Sequence, residues 1–256
     1  MGIPPITRYG FGLMPSIRRF AGGSLILCAL LSALPGLGQA EVKRGSTARA
    51  PKGAEAARRA KAKKKTQGCK REKPKSFLIR KNYLKNGGLP KALRFRAERY
   101  GWVEGAGLEG FAQHSAISQA ADTTFMGLPI RVHKKIVPKL RCVERTIRTS
   151  CNGRGKRYVP KAIGGFRESN TFRKGEVSNH MFGIAIDIDP DRNPCCGCVD
   201  PWPSHRYCQN GAKSVYEKTE LTRCWIDAFE QHGFYWLGHD SLEDTMHFEY
   251  LGDPDR

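Results

Sequence analysis

Ser178-Asn179-His180-Met181-Phe182-Gly183-Ile184-Ala185-Ile186-Asp187-Ile188-Asp189 is the stretch that decides the fold. It reads as a loop carrying a histidine, a glycine turn and then a strand. Residues alternate from Ile184 onward, so Ile184, Ile186 and Ile188 face a core while Ala185, Asp187 and Asp189 share the opposite, open face. A second stretch, Asp244-Thr245-Met246-His247-Phe248-Glu249-Tyr250, repeats the device with His247 and Glu249 on one face and Met246, Phe248 and Tyr250 on the other. Two histidines and an aspartate, His180, Asp187 and His247, can then converge.

Two imidazoles and one carboxylate suit zinc and leave a coordination position for water, which is a catalytic rather than a structural complement. Asp244, three residues before His247, is the candidate base for that water. Residues three apart on an ideal strand point to opposite faces, so this reading requires a bend before His247. His239 is a rival ligand, but His247 sits on the patterned strand and has the carboxylate ahead of it.

Ser178-x-His180-x-x-Gly183-x-Ala185-x-Asp187, followed by Asp244-x-x-His247-Phe248-Glu249, resembles the VanY-type zinc peptidases over roughly residues 130–252. These are D-alanyl-D-alanine carboxypeptidases and L-alanyl-D-glutamate endopeptidases. The resemblance implies an α+β fold of the Hedgehog/DD-peptidase kind, one zinc ion per chain held by His180, Asp187 and His247, and Asp244 as base. It also implies a substrate-binding arginine, best matched by Arg167 in Gly164-Gly165-Phe166-Arg167. Aspartate at the base position is similar to the endopeptidase branch. The segment Glu168-Ser169-Asn170 departs from the family pattern beside Arg167. Ser178 reads as a residue that orients a ligand, since no glycine-flanked elbow marks it as a nucleophile. Glu249, on the face of His247, reads as an orienting or substrate-facing group.

Outward from these motifs, the apolar residues Ile136, Val137, Leu140, Val143 and Ile147 predict a helix from about residue 136 to 149 lying across a sheet. Leu89 to Tyr100 predicts another, opened by Pro90 and closed at Gly101. Leu221, Cys224, Trp225, Ala228 and Phe229 mark a third, ending at Gly233 and leading into a strand over 234–237. Between them, 102–129 has no clear pattern, although 116–121 has helical character. The architecture expected is α+β, a small antiparallel sheet flanked by helices with the metal cleft on its open face.

The N-terminus differs in kind. Residues 1–40 carry Arg8, Arg18 and Arg19, an apolar run closed by Pro35, and a small-x-small site at Gly38-Gln39-Ala40, which together read as a secretory signal peptide too short to span a membrane. Residues 41–76 hold fourteen Lys or Arg against three Glu with almost no large apolar residue, and so read as a disordered basic tail able to meet an anionic polymer. The leader carries +3 and the tail +11 of the net +20, leaving a modest +6 for a domain over 77–256. The tail lacks aromatic residues for base stacking, which argues against nucleic acid as the main partner.

Eight cysteines remain after the leader, an even number that fits disulfides in an exported, periplasmic or extracellular protein. Cys142 and Cys151 can close a short loop. Cys195 and Cys196 are expected to pin their loop to two different elements, one of them at Cys224; a structural zinc site in this cluster is the alternative. The functional expectation is a secreted zinc peptidase acting on peptidoglycan stem peptides, against a non-catalytic wall-binding module with a structural zinc.

Overall fold

The structure, a computed structural model, describes residues 69–151, 157–170, 175–199 and 202–256. The signal-peptide reading of 1–40 and most of the basic-tail reading lie outside these residues. Helix α1 (Arg80–Lys85) and α2 (Leu89–Tyr100) precede a hairpin of β1 (Ala120–Phe125) and β2 (Leu128–His133). There follow α3 (Val137–Ser150), β3 (Ile163–Gly164), β4 (Ala185–Ile188), α4 (Arg223–Glu230), β5 (Phe234–Trp236) and β6 (His247–Tyr250). Strands β3 to β6 form one antiparallel sheet in the order β3-β4-β6-β5, so the fold is α+β with small antiparallel sheets. No helix among the described residues is long and apolar enough to cross a membrane.

Three expected helices form where their periodicity placed them. In α4 the residues at helical spacing, Trp225, Ala228 and Phe229, are all buried, and Phe229 stacks on Phe248 of the sheet with ring centroids 4.1 Å apart. Burying such a ring contributes about 2–3 kcal/mol. Helix α3 buries Leu140, Val143 and Ile147 and begins with Pro138 in its first turn, where a missing N–H costs nothing. The segment 116–121 departs from expectation: a single 3-10 turn at Ile117–Gln119 runs straight into β1. Its partner β2 lies across a two-residue turn in which Met126 and Gly127 both have positive φ, the geometry of a tight hairpin.

The face of β4 that carries Asp187 is not open. Every residue of β4 is buried, Asp187 at 3% exposure, because the turn at 178–183 and the chain around 165–167 cover that face. Asp189, expected beside Asp187, belongs to a different network. Its carboxylate accepts from the Tyr158 hydroxyl at 2.5 Å, the Lys161 and Ala162 N–H groups at 2.7 and 2.6 Å, and Arg192 at 2.8 Å. Those contacts consume the group and leave it no role as a cation ligand.

The packed body begins earlier than residue 77. Cys69 is joined to Cys142 of α3, and Glu72 accepts from Lys139 at 2.8 Å and from the Tyr250 hydroxyl at 2.9 Å. A short segment of mostly polar residues is thus held by a disulfide and a buried ion pair rather than by apolar contact, which is why composition assigned it to the tail.

The cysteines pair as Cys69–Cys142, Cys151–Cys224, Cys195–Cys198 and Cys196–Cys208. The expected Cys142–Cys151 pair does not form: the two lie nine residues apart along α3, about 13 Å by helical rise, whereas bonded cysteines need Cα atoms within about 7 Å. Each instead reaches a different neighbour of the helix. Cys195 and Cys196 do not pin their loop to distant elements; both close rings within it, and Cys224 goes to Cys151.

Candidate metal centre

Sheet register makes the centre. Asp187 of β4 stands directly opposite His247 of β6, and Ala185 opposite Glu249. His247 Nδ1 and Asp187 Oδ1 are 3.0 Å apart. His180 comes from the turn before β4, which closes at Gly183 with φ +67°; a Cβ there would also lie 2.1 Å from the Phe166 ring, so only glycine fits. The turn brings His180 Nε2 to 3.2 Å from Asp187 Oδ2 and 3.1 Å from His247 Nδ1. All three ligand atoms lie within 4.8 Å of one another, on buried residues.

The outer nitrogens are already engaged. His180 Nδ1 donates to the Gly165 carbonyl at 2.6 Å, which leaves Nε2 with a free lone pair facing the centre. His247 Nε2 lies 3.6 Å from Glu249 Oε2, and that oxygen accepts from the buried Asn179 amide. Two oriented imidazoles and a carboxylate at this spacing form a donor set able to hold a metal ion.

Electrostatics follow from burial and partners. Burial opposes ionisation of Asp187, but the two facing imidazoles outweigh it and hold its carboxyl well below the usual range. Burial drives the His180 imidazole down, with Asp187 opposing. Burial works the same way on His247, yet Asp187 and Glu249 push it up to about 10. A metal must therefore displace a proton held between these carboxylates.

Asp244 sits outside the strand in the turn 244–247, where the His247 N–H meets its carbonyl at 3.4 Å, so the expected bend is present. Its Oδ1 is sealed from solvent and has no hydrogen-bond partner. Burial pushes its carboxyl up to about 7, while the positive charges of His247 and Arg167 pull the other way. Beside it runs the loop 194–198, paired with this turn as a short ladder: Thr245 N to Pro194 O at 3.1 Å, Cys196 N to Glu243 O at 3.2 Å and Gly197 N to Leu242 O at 2.7 Å. The sulfurs of Cys195 and Cys198 lie within 4.8 Å of the Asp244 carboxylate, but they are bonded to each other and offer no thiolate.

Arg167 places its guanidinium on Asp187 Oδ2 while remaining 41% exposed at the side chain. Ser178 touches neither ring; its Oγ accepts from the His180 N–H at 3.3 Å and so orients the turn. His239 pairs with Glu230 at 3.0 Å, away from the centre. His133 caps the turn after β2, accepting from the Lys135 N–H at 3.1 Å. Sequence reasoning missed Asn179, although it sits between Ser178 and His180, and missed the ladder that carries Asp244.

Residues 171–250 match the D-alanyl-D-alanine carboxypeptidase family. The resemblance to VanY-type peptidases read from the sequence holds over that segment, and with it a DD-peptidase-like fold. His180, Asp187, Asp244 and His247 all fall inside the carboxypeptidase match, and Arg167 lies just before it. No curated protein and no solved structure matches the chain. The carboxypeptidase family supports a peptidase, and the four disulfides are compatible with export.

Proposed function

We propose that this chain is an exported zinc peptidase that hydrolyses peptide bonds in peptidoglycan stem peptides. His180, Asp187 and His247 would hold one zinc ion, two imidazoles and a carboxylate being a donor set that suits catalytic zinc. Bound there, zinc supplies a Lewis acid that brings the pKa of a water near neutrality.

The chain's own residues do the rest. Asp244 would take a proton from the attacking water on its unpartnered oxygen and return it to the leaving amine, a role that oxygen is free to fill because it has no hydrogen-bond partner. Arg167, fork-shaped and permanently charged, holds a substrate carboxylate or the oxyanion that develops at the scissile carbonyl. Glu249 and Asn179 fix the His247 ring, and Ser178 fixes the turn that carries His180.

One observation carries the reading: a carboxylate with one oxygen sealed from solvent and unpartnered lies three residues before His247 of the two-histidine, one-aspartate set. A purely structural metal site has no need of such a group, which is what sets the peptidase above a wall-binding module. The test is to incubate the purified, oxidised, zinc-loaded chain with peptidoglycan fragments of defined stem length and read the products by mass spectrometry. Loss of a terminal D-alanine identifies a carboxypeptidase and a cut after L-alanine an endopeptidase. No product from folded, zinc-loaded protein would leave the binding module as the better account.

A further inference from the structure

A cleft of about 290 Å³ opens beside Arg167, lined on one side by Arg167, Glu168 and Met181 and on the other by Trp102, Glu104 and Ile117. The second wall lies far outside the family match. It is built by zipping Trp102 onto Ser115: the Trp102 N–H meets the His114 carbonyl at 3.1 Å, and the Ala116 N–H meets the Trp102 carbonyl at 2.7 Å. Gly101 permits this approach, since a Cβ on it would lie 2.6 Å from the His114 oxygen. At its inner end the cleft meets the candidate centre through Arg167 on Asp187 and through Met181, next in the chain to His180.

The lining is chemically uneven. Trp102, Ile117 and Met181 give it an apolar floor, with Ile117 exposed at 41%. Glu104 and Glu168 are exposed, and neither makes an ion pair or a side-chain hydrogen bond among the described residues. Elsewhere in this basic chain acids find cations readily, as in Glu72–Lys139, Glu176–Arg80 and Glu220–Arg192. Two unpaired carboxylates, an indole and aliphatic side chains around one cavity favour an alkyl chain that ends in an ammonium: its methylenes lie on the apolar floor, and its charge meets the acids and the indole face.

We propose that this cleft is a subsite for the ammonium-bearing side chain of a diamino acid in the substrate peptide, with Glu104 and Glu168 as its specificity-determining residues. The proposal rests on the peptidase reading above and adds the side chain that peptidase selects. Two kinds of diamino acid share this chemistry, one ending in an ammonium alone and one ending in an ammonium and a carboxylate.

Calorimetric titration tests this by binding rather than by turnover, with every protein, the parent included, zinc-loaded and carrying Asp244→Asn to stop cleavage. The probes are three stem peptides identical except at the diamino acid: a free terminal ammonium, the same group N-acetylated, and a terminal ammonium with carboxylate. The parent is expected to bind the free-ammonium peptide about tenfold more tightly than its acetylated form, the size expected of exposed ion pairs with a cation–π contact. Glu104→Gln with Glu168→Gln should bring that ratio close to one. Tighter binding of the third peptide than of the first would extend the subsite to the zwitterionic end group. Equal affinity of the first two peptides in the parent, or a ratio that survives the double substitution, overturns the subsite alone. If none of the three peptides binds, the stem-peptide reading fails and the subsite falls with it.

Discussion

Asp187 and Asp244, which we propose as metal ligand and as base, are held by different means. Asp187 lies on β4 between two hydrogen-bonded neighbours, with both oxygens partnered by imidazoles and Arg167. Asp244 lies on an irregular turn steadied by a loop with two disulfides, and its Oδ1 has no partner at all. The environments push the two groups apart, Asp187 downward by its imidazoles and Asp244 up to about 7 by burial. Under the proposed function the two divide the labour, Asp187 as permanent anion and Asp244 as proton carrier. The difference teaches that a ligand can be built into a sheet, whereas a base must be kept unsatisfied, and an unsatisfied group needs other restraint.

The largest effect should come from the unsatisfied group. Asp244→Asn keeps the shape and removes the proton acceptor, so turnover on stem peptides should fall by about 10²–10⁴-fold. Zinc content should stay near one per chain, because the ligand set on β4, β6 and the turn is untouched. Retention of full activity would sink the assignment of the base, while loss of zinc together with activity would mean that Asp244 belongs with the ligands.

The disulfides sharpen the same comparison. Cys69–Cys142 and Cys151–Cys224 each span 73 residues and tie helices to the frame, whereas Cys195–Cys198 spans three and lies against the base. Chain entropy predicts a loss of about 4 kcal/mol of stability when Cys69 and Cys142 are both replaced by serine. Denaturation curves measure it, and activity per folded molecule should hardly change. Serine at Cys195 and Cys198 should cost less stability, about 2 kcal/mol, yet it should slow turnover about tenfold with zinc retained, because it loosens the ladder under Asp244. Unchanged turnover in that variant would show that the hydrogen bonds to Pro194 and Leu242 position the base unaided.

Much of the site was legible because it is local. Alternation along 184–189 and 246–250 put Asp187 and His247 each on the polar face of a strand, which the sheet then pairs, and the spacing of Asp244 to His247 demanded the bend that is present. Legibility failed where pairing depends on the third dimension. Cys142 and Cys151 looked close in number, but a straight helix holds them apart. The face of β4 looked open because alternation reports one buried side and is silent about a turn folding over the other. Trp102 and Glu104 carry no motif, and a close approach that only glycine allows at Gly101 brings them to the cleft.

The smallest effect tests the frame through a histidine outside the ligand set, whose backbone N–H donates to the Gly183 carbonyl of the turn that carries His180, at 2.8 Å. His133 is sealed at 1% exposure, its Nδ1 accepting from the Lys135 N–H and its Nε2 donating to the Tyr100 carbonyl at 3.0 Å. Both contacts suit the neutral ring, since a proton on Nδ1 would face a donor. Burial accordingly pushes its pKa down to about 4 from 6.5, helped by the charges of Lys135 and Lys134 and opposed by the Tyr100 carbonyl. As pH falls from about 6.5 to about 4, the unfolded chain takes up a proton here that the folded chain refuses. Stability must therefore decline over that window, by at most about 1.4 kcal/mol per pH unit from this group, and level off below it. His180 and His232 are also shifted down and add to the slope, so His133→Asn should make it shallower by up to one proton rather than abolish it. Denaturant midpoints of both proteins at several pH values between 4 and 7 measure the difference. Parallel curves would mean that His133 titrates alike in both states and that its cap opens to water.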